Sequence, residues 1–406
     1  MSGKWPGGFI KKTAPTVVGP TDGEGGSASG IWTLDQVADY ESQGLWPMPV
    51  LPRELYMWGS GTSGGLGQGN TTNYSSPVQV GALIAWSGLS VGDAFGIASK
   101  TDGTLWAWGV NSYGGLGVGD TLDYSSPVQV GALTTWSVKL ATGNGTSFAI
   151  KPDGTLWSWG KGSAGSMGHG NTTNISSPQQ VGALTDWSTL GAGSYHTAAI
   201  KTDGTLWTWG MNAFGSLGLG NTTYTSSPQQ VGALTNWRTV AAGYVNTVAV
   251  KTDGTLWSWG NANVGQLGSG STSPRSSPVQ VGALTTWLDV ACGYYHVVAT
   301  KTDGTLWSWG YNLNGQLGLG NTTNRSSPVQ VGALTTWDKL GMGKYFSSAI
   351  KTDGTLWAWG SGGNGQLGQS NTTTYSSPVQ VGALTTWSVI GNGSHHERTS
   401  GGITKG

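Results

Sequence analysis

Hydrophobic and polar positions along this chain fall into short alternating runs punctuated by glycine, and the runs recur. In the unit that opens at Trp237, the run Trp237-Arg-Thr-Val-Ala-Ala-Gly243 is apolar and small, as suits a strand crowded near an axis. Thr247-Val-Ala-Val-Lys251 and Thr255-Leu-Trp-Ser-Trp259 follow, flanking Asp253-Gly254, a strong hairpin signal. After a loop rich in Gly and Asn, Ser277-Pro-Val-Gln-Val281 predicts a short outer strand, where Pro278 is tolerated because an edge strand need not donate at every position.

The stretch Gly193 to Gly210 recurs along the body at intervals of 50 residues, one interval being 51, with six complete copies and a seventh split between the two ends. Four short strands per unit, repeated in this way, predict propeller blades that bury their apolar faces only against neighbours. Trp-Gly occurs at Trp58, Trp108, Trp159, Trp209, Trp259, Trp309 and Trp359, which sets the blade number at seven. The chain enters at Leu55-Tyr-Met-Trp58, matching a third strand, and leaves after Trp387-Ser-Val-Ile-Gly391 and Ser394 to Thr399, matching the first two. The expectation is an all-β, seven-bladed β-propeller over residues 52–400, closed by N- and C-terminal strands that share one blade, with 401–406 as a tail.

Of 23 tryptophans, seven belong to the Trp-Gly set, six lie two residues earlier, and seven open the inner strands, so twenty serve the ring and only Trp5, Trp32 and Trp46 fall outside it. Trp136 to Gly143 holds one residue more than its equivalents, which predicts a bulge around Lys139 in that inner strand.

Residues 1–50 are of a different kind. Pro6, Pro15, Pro20 and the run from Gly23 to Gly30 predict an extended segment. Thr33 and Gln36 have capping-box spacing, Leu34, Val37 and Ala38 share a face, and Gly44 is placed to stop the chain, which predicts a short helix near 34–43. At under three turns it must dock on something. The expected docking side chains of this arm are Trp5, Phe9, Ile10, Trp32, Leu34, Val37, Tyr40 and Trp46.

Charged residues make up only 9% of the chain, and the formal net charge is zero, so no basic surface is expected for nucleic acid. No apolar run is long enough to cross a bilayer, and the start, Met-Ser-Gly-Lys-Trp-Pro, lacks the apolar core of a secretory signal. The single cysteine, Cys292, aligns with Ala242 and Ala192, which predicts a buried strand residue rather than a reactive thiol.

The run Gly-x-x-His-x-x-Ala followed by Asp-Gly-x-x-Trp-x-Trp-Gly-x-Asn-x-x-Gly-Gln-Leu-Gly, from Gly293 to Gly318, is similar to the regulator of chromosome condensation repeat family. That resemblance covers all seven units and implies the same propeller. The family's eukaryotic founder promotes nucleotide exchange on a small GTPase and binds nucleosomes. This chain has no inserted β-wing, no basic tail and near-identical loops, so exchange-factor activity is not expected of it. Residues 29–47, SGIWTLDQVADYESQGLWP, resemble a short module near the ends of structural and tail proteins of bacteriophages, especially marine ones.

Candidate chemistry is sparse. His196, His296 and His396 occupy one repeat position, held elsewhere by Phe95, Thr146, Asn246 and Phe346, and a position that accepts Phe is not a metal ligand. His169 stands alone, and His395-His396-Glu397 is a poor ligand set, so no metal or cofactor is expected. Ser216 to Asn221 lacks the context of a phosphate loop and is turn chemistry. The Asn-x-Thr triplets at Asn70, Asn221 and Asn321 are expected to cap loops. Lys201 and Asp203, with their copies, are expected as solvated turn residues. No nucleophile or carboxylate pair stands out from the repeat, and an enzyme is not expected.

The expected function is that of a non-enzymatic protein on the surface of a bacteriophage particle, a decoration or tail attachment module assembled in the host cytoplasm. The arm would dock to other virion proteins, with the propeller displayed outward in several copies. The alternative is a glycan-binding propeller for host recognition, presenting Tyr74, Tyr124, Tyr224 and Tyr375 as repeated weak sites whose avidity adds up.

Overall fold

Alternation of period two, with an Asp-Gly turn between the second and third runs of six units, builds seven four-stranded antiparallel sheets. The computed structural model describes residues 52–82, 84–92, 94–391 and 398–406. Blade 1 holds β3 (Trp86–Val91), β4 (Phe95–Lys100), β5 (Leu105–Gly109) and β6 (Tyr124–Gln129), and blade 2 holds β7 (Leu140–Thr142), β8 (Thr146–Ile150), β9 (Leu156–Gly160) and β10 (Ile175–Gln180). Blade 3 holds β11 (Trp187–Ala192), β12 (His196–Lys201), β13 (Leu206–Gly210) and β14 (Thr225–Gln230), and blade 4 holds β15 (Trp237–Ala242), β16 (Asn246–Lys251), β17 (Leu256–Gly260) and β18 (Arg275–Gln280). Blade 5 holds β19 (Trp287–Cys292), β20 (His296–Lys301), β21 (Leu306–Gly310) and β22 (Arg325–Gln330), and blade 6 holds β23 (Trp337–Met342), β24 (Phe346–Lys351), β25 (Leu356–Gly360) and β26 (Tyr375–Gln380).

Blade 7 closes the ring: β27 (Trp387–Ile390) and β28 (Thr399–Thr404) from the C-terminus join β1 (Leu55–Gly59) and β2 (Tyr74–Gln79), in the order β2-β1-β28-β27. The shared blade is as expected, but its second strand is not where the letters suggested. Gly59 pairs with Thr399 as Gly210 pairs with His196, so Thr399, and not His396, takes the repeat position of the histidines. The link ahead of β28 is three residues longer than its counterparts, and this insertion shifts the register. Residues 401–404 therefore belong to the sheet rather than to a tail, and only Lys405 and Gly406 follow it. The expected helix near 34–43 and the rest of the arm lie outside the described residues.

The core is not inside any blade but between blades. Val248, Val250, Leu256 and Val281 of blade 4 pack on Trp287, Val290, Val297 and Trp309 of blade 5, and each of the other interfaces repeats this. The Trp-Gly indoles act as the stitches. Trp259 Nε1 donates to Ser216 O of the preceding blade at 2.9 Å, and the other six do the same to the equivalent carbonyl, ending with Trp58 on Gln366 O. A second bond joins each third-to-fourth strand loop to the outer strand of the next blade, as Gly220 N to Ser276 O at 2.8 Å.

The irregularity around Lys139 is present as a shortened strand: β7 starts only at Leu140, and Ser137 and Val138 sit ahead of the ladder where other blades place one residue. The lysines of the second strands correct another expectation. Lys201, Lys251, Lys301 and Lys351 are buried, each ammonium lying over two indoles, in blade 5 at 4.9 Å from Trp287 and 3.5 Å from Trp307. Long apolar stems make that sandwich possible, and its burial lowers the Lys301 pKa. The aspartates stay exposed but are not idle: Asp203 Oδ1 accepts from Thr205 N and Oγ1 at 2.9 and 2.7 Å, and Trp207 Nε1 donates to Thr205 Oγ1 at 2.9 Å. These bonds hold the Asp203 carboxyl below its usual range.

Candidate functional site

First strands of blades 1 to 6 wall a central cavity of about 210 Å³, lined by residues such as Leu190, Val240, Val290 and Leu340 with Thr239 and Asp289. Asp289 Oδ1 accepts from Thr239 Oγ1 at 3.3 Å and from Val290 N at 2.8 Å, while burial raises the carboxyl's pKa. Cys292 lines this cavity too, buried as expected, with its thiol pushed up by desolvation.

The histidines are structural. His196 Nε2 lies 2.9 Å from Thr247 Oγ1 and His296 Nε2 lies 2.9 Å from Ser347 Oγ, each reaching the next blade. Burial drives their pKa values down to about 4 and about 3. Among the described residues no group of three His, Cys, Asp or Glu is placed to hold a metal ion, and His395, His396 and Glu397 lie outside them. Asn70, Asn221 and Asn321 cap their loops, accepting from the N–H of Thr72, Thr223 and Thr323 at 2.9, 2.9 and 3.0 Å.

The docking residues of the arm, Trp5 to Trp46, lie outside the described residues. Tyr74, Tyr124, Tyr224 and Tyr375 are spread over blades 7, 1, 3 and 6, at or just before the outer strand. Three are half-buried and tied to their own loop: Asn70 Nδ2 donates to the Tyr74 hydroxyl at 3.3 Å, the Tyr124 hydroxyl donates to Asp120 Oδ2 at 2.8 Å, and Asn371 Nδ2 donates to the Tyr375 hydroxyl at 3.1 Å. Tyr224 is 49% exposed. The four do not form one site.

The structure does open a recurring groove on the rim, between the outer strand of one blade and the tryptophans of the next. Between blades 5 and 6 it measures about 500 Å³, lined by Trp337, Trp357 and Pro378 of blade 6, by Leu334 of the link, and by Gln330 and Asn321 of blade 5. Leu184, Trp187, Trp207 and Pro228 make the same groove between blades 2 and 3, and Leu284, Trp287, Trp307 and Pro328 between blades 4 and 5, at about 430 and 280 Å³. Leu334 is 49% exposed at the mouth. Arg325, which also lines the groove of blades 5 and 6, holds the repeat position of Tyr74, Tyr124 and Tyr375. The tyrosine position therefore lies beside the groove, whose indoles also pack the ring interfaces.

A second constellation was missed altogether. The links from first to second strands, all on one face, bring Tyr195, Tyr244, Tyr294, Tyr295 and Tyr345 together. Tyr244 and Tyr294 stack at 4.0 Å with 19° between planes, Tyr294 meets Tyr295 edge-on at 4.6 Å, and Tyr195 meets Tyr244 at 5.8 Å. Lys344 Nζ lies 4.6 Å from the Tyr294 ring and 5.1 Å from Tyr345, and Lys161 Nζ lies 4.7 Å from Tyr113 and 5.8 Å from Tyr195. Backbone bonds from Ser194 N to Gly243 O, Tyr244 N to Tyr294 O and Tyr294 N to Lys344 O tie these links blade to blade. Burial, and then neighbouring tyrosines, raise the pKa values of Tyr294, Tyr295 and Tyr345, so their hydroxyls stay protonated.

Similarity to known proteins agrees with this architecture. A family model described as RCC1-like domain matches residues 185–399, and one described as regulator of chromosome condensation (RCC1) repeat matches residues 54–98, 102–150 and 153–200. Among solved structures, yeast RCC1 (Prp20), in a complex with Kap60, superposes with a TM-score of 0.77 at 20% identity, over 87% of this chain and 90% of that one. Human WBSCR16 gives 0.77 at 21% identity, over 87% and 100%. The E3 ubiquitin-protein ligases HERC2 of Homo sapiens and Mus musculus are 29% identical over 150 residues, 35% of this chain, which spans only 3% of their length. With the blade-forming repeat matched from residue 54 to residue 399 almost without a break, the chain belongs to the family of RCC1-repeat propellers.

Proposed function

We propose that the propeller is a non-enzymatic recognition module that binds glycans in its rim grooves. The observation that carries this is the recurrence of one groove at three interfaces, always with two indoles and a proline of one blade, the leucine of the link leading into it, and glutamine from the outer strand of the blade before. Indole beside aliphatic carbon suits the C–H face of a pyranose ring, and amide groups suit its hydroxyls. Every groove is weak by itself, and a polysaccharide that meets several at once gains through effective concentration.

A glycan array followed by titration calorimetry tests the reading. The expected result is a hit with more than one site per chain, weakened at one site by Leu334→Asp and at a second by Leu284→Asp. A flat array, or a hit that ignores both substitutions, would end it.

The setting we propose is the surface of a bacteriophage particle, with residues 1–50 docked on other virion proteins. It rests on the resemblance of residues 29–47 to a phage module. Mass spectrometry of purified particles checks it, and absence of the chain from them rules it out.

A further inference from the structure

The three rim grooves share their indoles, leucine and proline, but one of them carries a guanidinium. Arg325 lines the groove between blades 5 and 6, whereas no lysine or arginine lines the groove between blades 2 and 3 or that between blades 4 and 5. The repeat position of Arg325 is held by Ile175 in blade 2 and by Arg275 in blade 4. Arg275 is exposed and does not line its groove.

That guanidinium is short of partners. Arg325 is half-buried, its Nε is buried without a hydrogen-bond partner, and it forms no ion pair among the described residues. Trp337 Nε1, from the same wall, is likewise buried without an acceptor. Donors left unmade cost free energy, and an occupant whose acceptors reach them recovers it. No aspartate or glutamate lines this groove, and Asp338, next to Trp337 in the chain, is already paired with Lys339 Nζ at 3.3 Å. A planar fork of N–H donors matches the two oxygens of a carboxylate, and the indoles beside it suit the C–H face of a sugar ring.

We propose that the groove between blades 5 and 6 is the acid-selective member of the set and takes a uronic acid residue of a polysaccharide. The carboxylate pairs with Arg325, and the ring lies on Trp337 and Trp357. This rests on the reading of the rim grooves as sugar sites and adds the class of sugar. The other two grooves, with no guanidinium in the wall, gain nothing from the carboxylate.

Calorimetry on the full chain with trimers of galacturonic, glucuronic and mannuronic acid, each beside its methyl ester, tests the assignment. At least one acid is expected to bind one site per chain about tenfold more tightly than its ester, as a charge-assisted pair provides. Arg325→Gln should bring that acid down to the affinity of its ester. Arg275→Gln, the same change at the same repeat position outside a groove, should leave the acid's advantage in place. Melting curves establish that each variant folds. Should Arg325→Gln fail to fold, Arg325→Lys keeps the charge without the fork and is expected to lose most of the advantage. Acids no tighter than their esters, equal losses from Arg275→Gln and Arg325→Gln, or tighter binding of a sulfated galactose trimer or a glutamate peptide would overturn the proposal. Any of these, with a glycan-array hit lost on Leu334→Asp, overturns it alone and leaves the rim reading standing, whereas a flat array removes both.

Discussion

His196 Nε2 sits 2.9 Å from Thr247 Oγ1 in the next blade, and Thr247 Oγ1 donates in turn to Ser216 O at 2.8 Å, the same carbonyl that receives Trp259 Nε1. Because the threonine hydroxyl spends its proton on the carbonyl, it accepts from an Nε2–H, and the ring is neutral. Its pKa is held at about 4, against about 6.5 in the unfolded chain. A proton thus binds the unfolded chain first, and stability falls as the pH drops through that window, by about 1.4 kcal/mol per pH unit for each such histidine. Urea midpoints from pH 8 to pH 4 should show this loss, and the pair His196→Asn with His296→Asn should flatten it, since Asn246 already fills the same position in blade 4.

The Trp-Gly indoles can be dissected by size and by hydrogen bond. Trp259→Phe keeps a ring but leaves Ser216 O without the indole donor, with an expected cost of about 1 kcal/mol. Trp259→Ala empties the interface between blades 3 and 4 as well, and about 3 to 5 kcal/mol is expected. Chemical denaturation of the two variants gives both numbers, and equal costs would mean that volume is irrelevant there.

Two glycines with the same backbone twist should respond differently to a methyl group. Gly204 has φ +79°, and an added Cβ would stand 2.1 Å from Thr235 O, whereas Gly232 has φ +60° and nothing within 4 Å. Gly232→Ala should cost about 1 kcal/mol, the strain of the left-handed region alone. Gly204→Ala must also push back the link that carries the chain into blade 4, so a larger loss in melting temperature is expected.

Removal of residues 399–406 deletes β28, the strand that pairs with all five residues of β1. Blade 7 would keep β1 and β2 on one side and β27 on the other with nothing between them. The expected outcome is a lower and broader thermal transition by circular dichroism, together with association on gel filtration as bare strand edges meet. A transition as sharp as that of the full chain would show that closure contributes little.

Much of this was legible beforehand for one reason: every blade obeys the same period, so one reading of Asp253-Gly254 served for six turns. The failures came where a copy departs from its siblings. His395-His396 imitates the histidine position, yet the three extra residues ahead of Thr399 carry the strand past it. Lys201 looks like any turn lysine by its neighbours in the chain, and only the lateral approach of Trp187 and Trp207 makes it a buried cation. The tyrosine face is hidden in the sequence because Tyr244 and Tyr294 occupy one repeat position and Tyr195, Tyr295 and Tyr345 another. Only curvature of the ring gathers positions 50 or 100 residues apart.

Thr404 N donates to Glu54 O at 3.0 Å and Glu54 N donates to Thr404 Oγ1 at 3.1 Å, so the two ends of the ring stand where the other six blades have a four-residue turn between second and third strands, Thr-Asp-Gly-Thr in five of them and Pro-Asp-Gly-Thr in blade 2. A splice of those four residues between Thr404 and Leu55 would make the polypeptide continuous there, and fresh termini could then be cut at any of the exposed Gly-Ala-Leu links. Such a circularly permuted chain keeps every strand pairing described, which means that the starting point of this propeller is a matter of gene layout and not of physics.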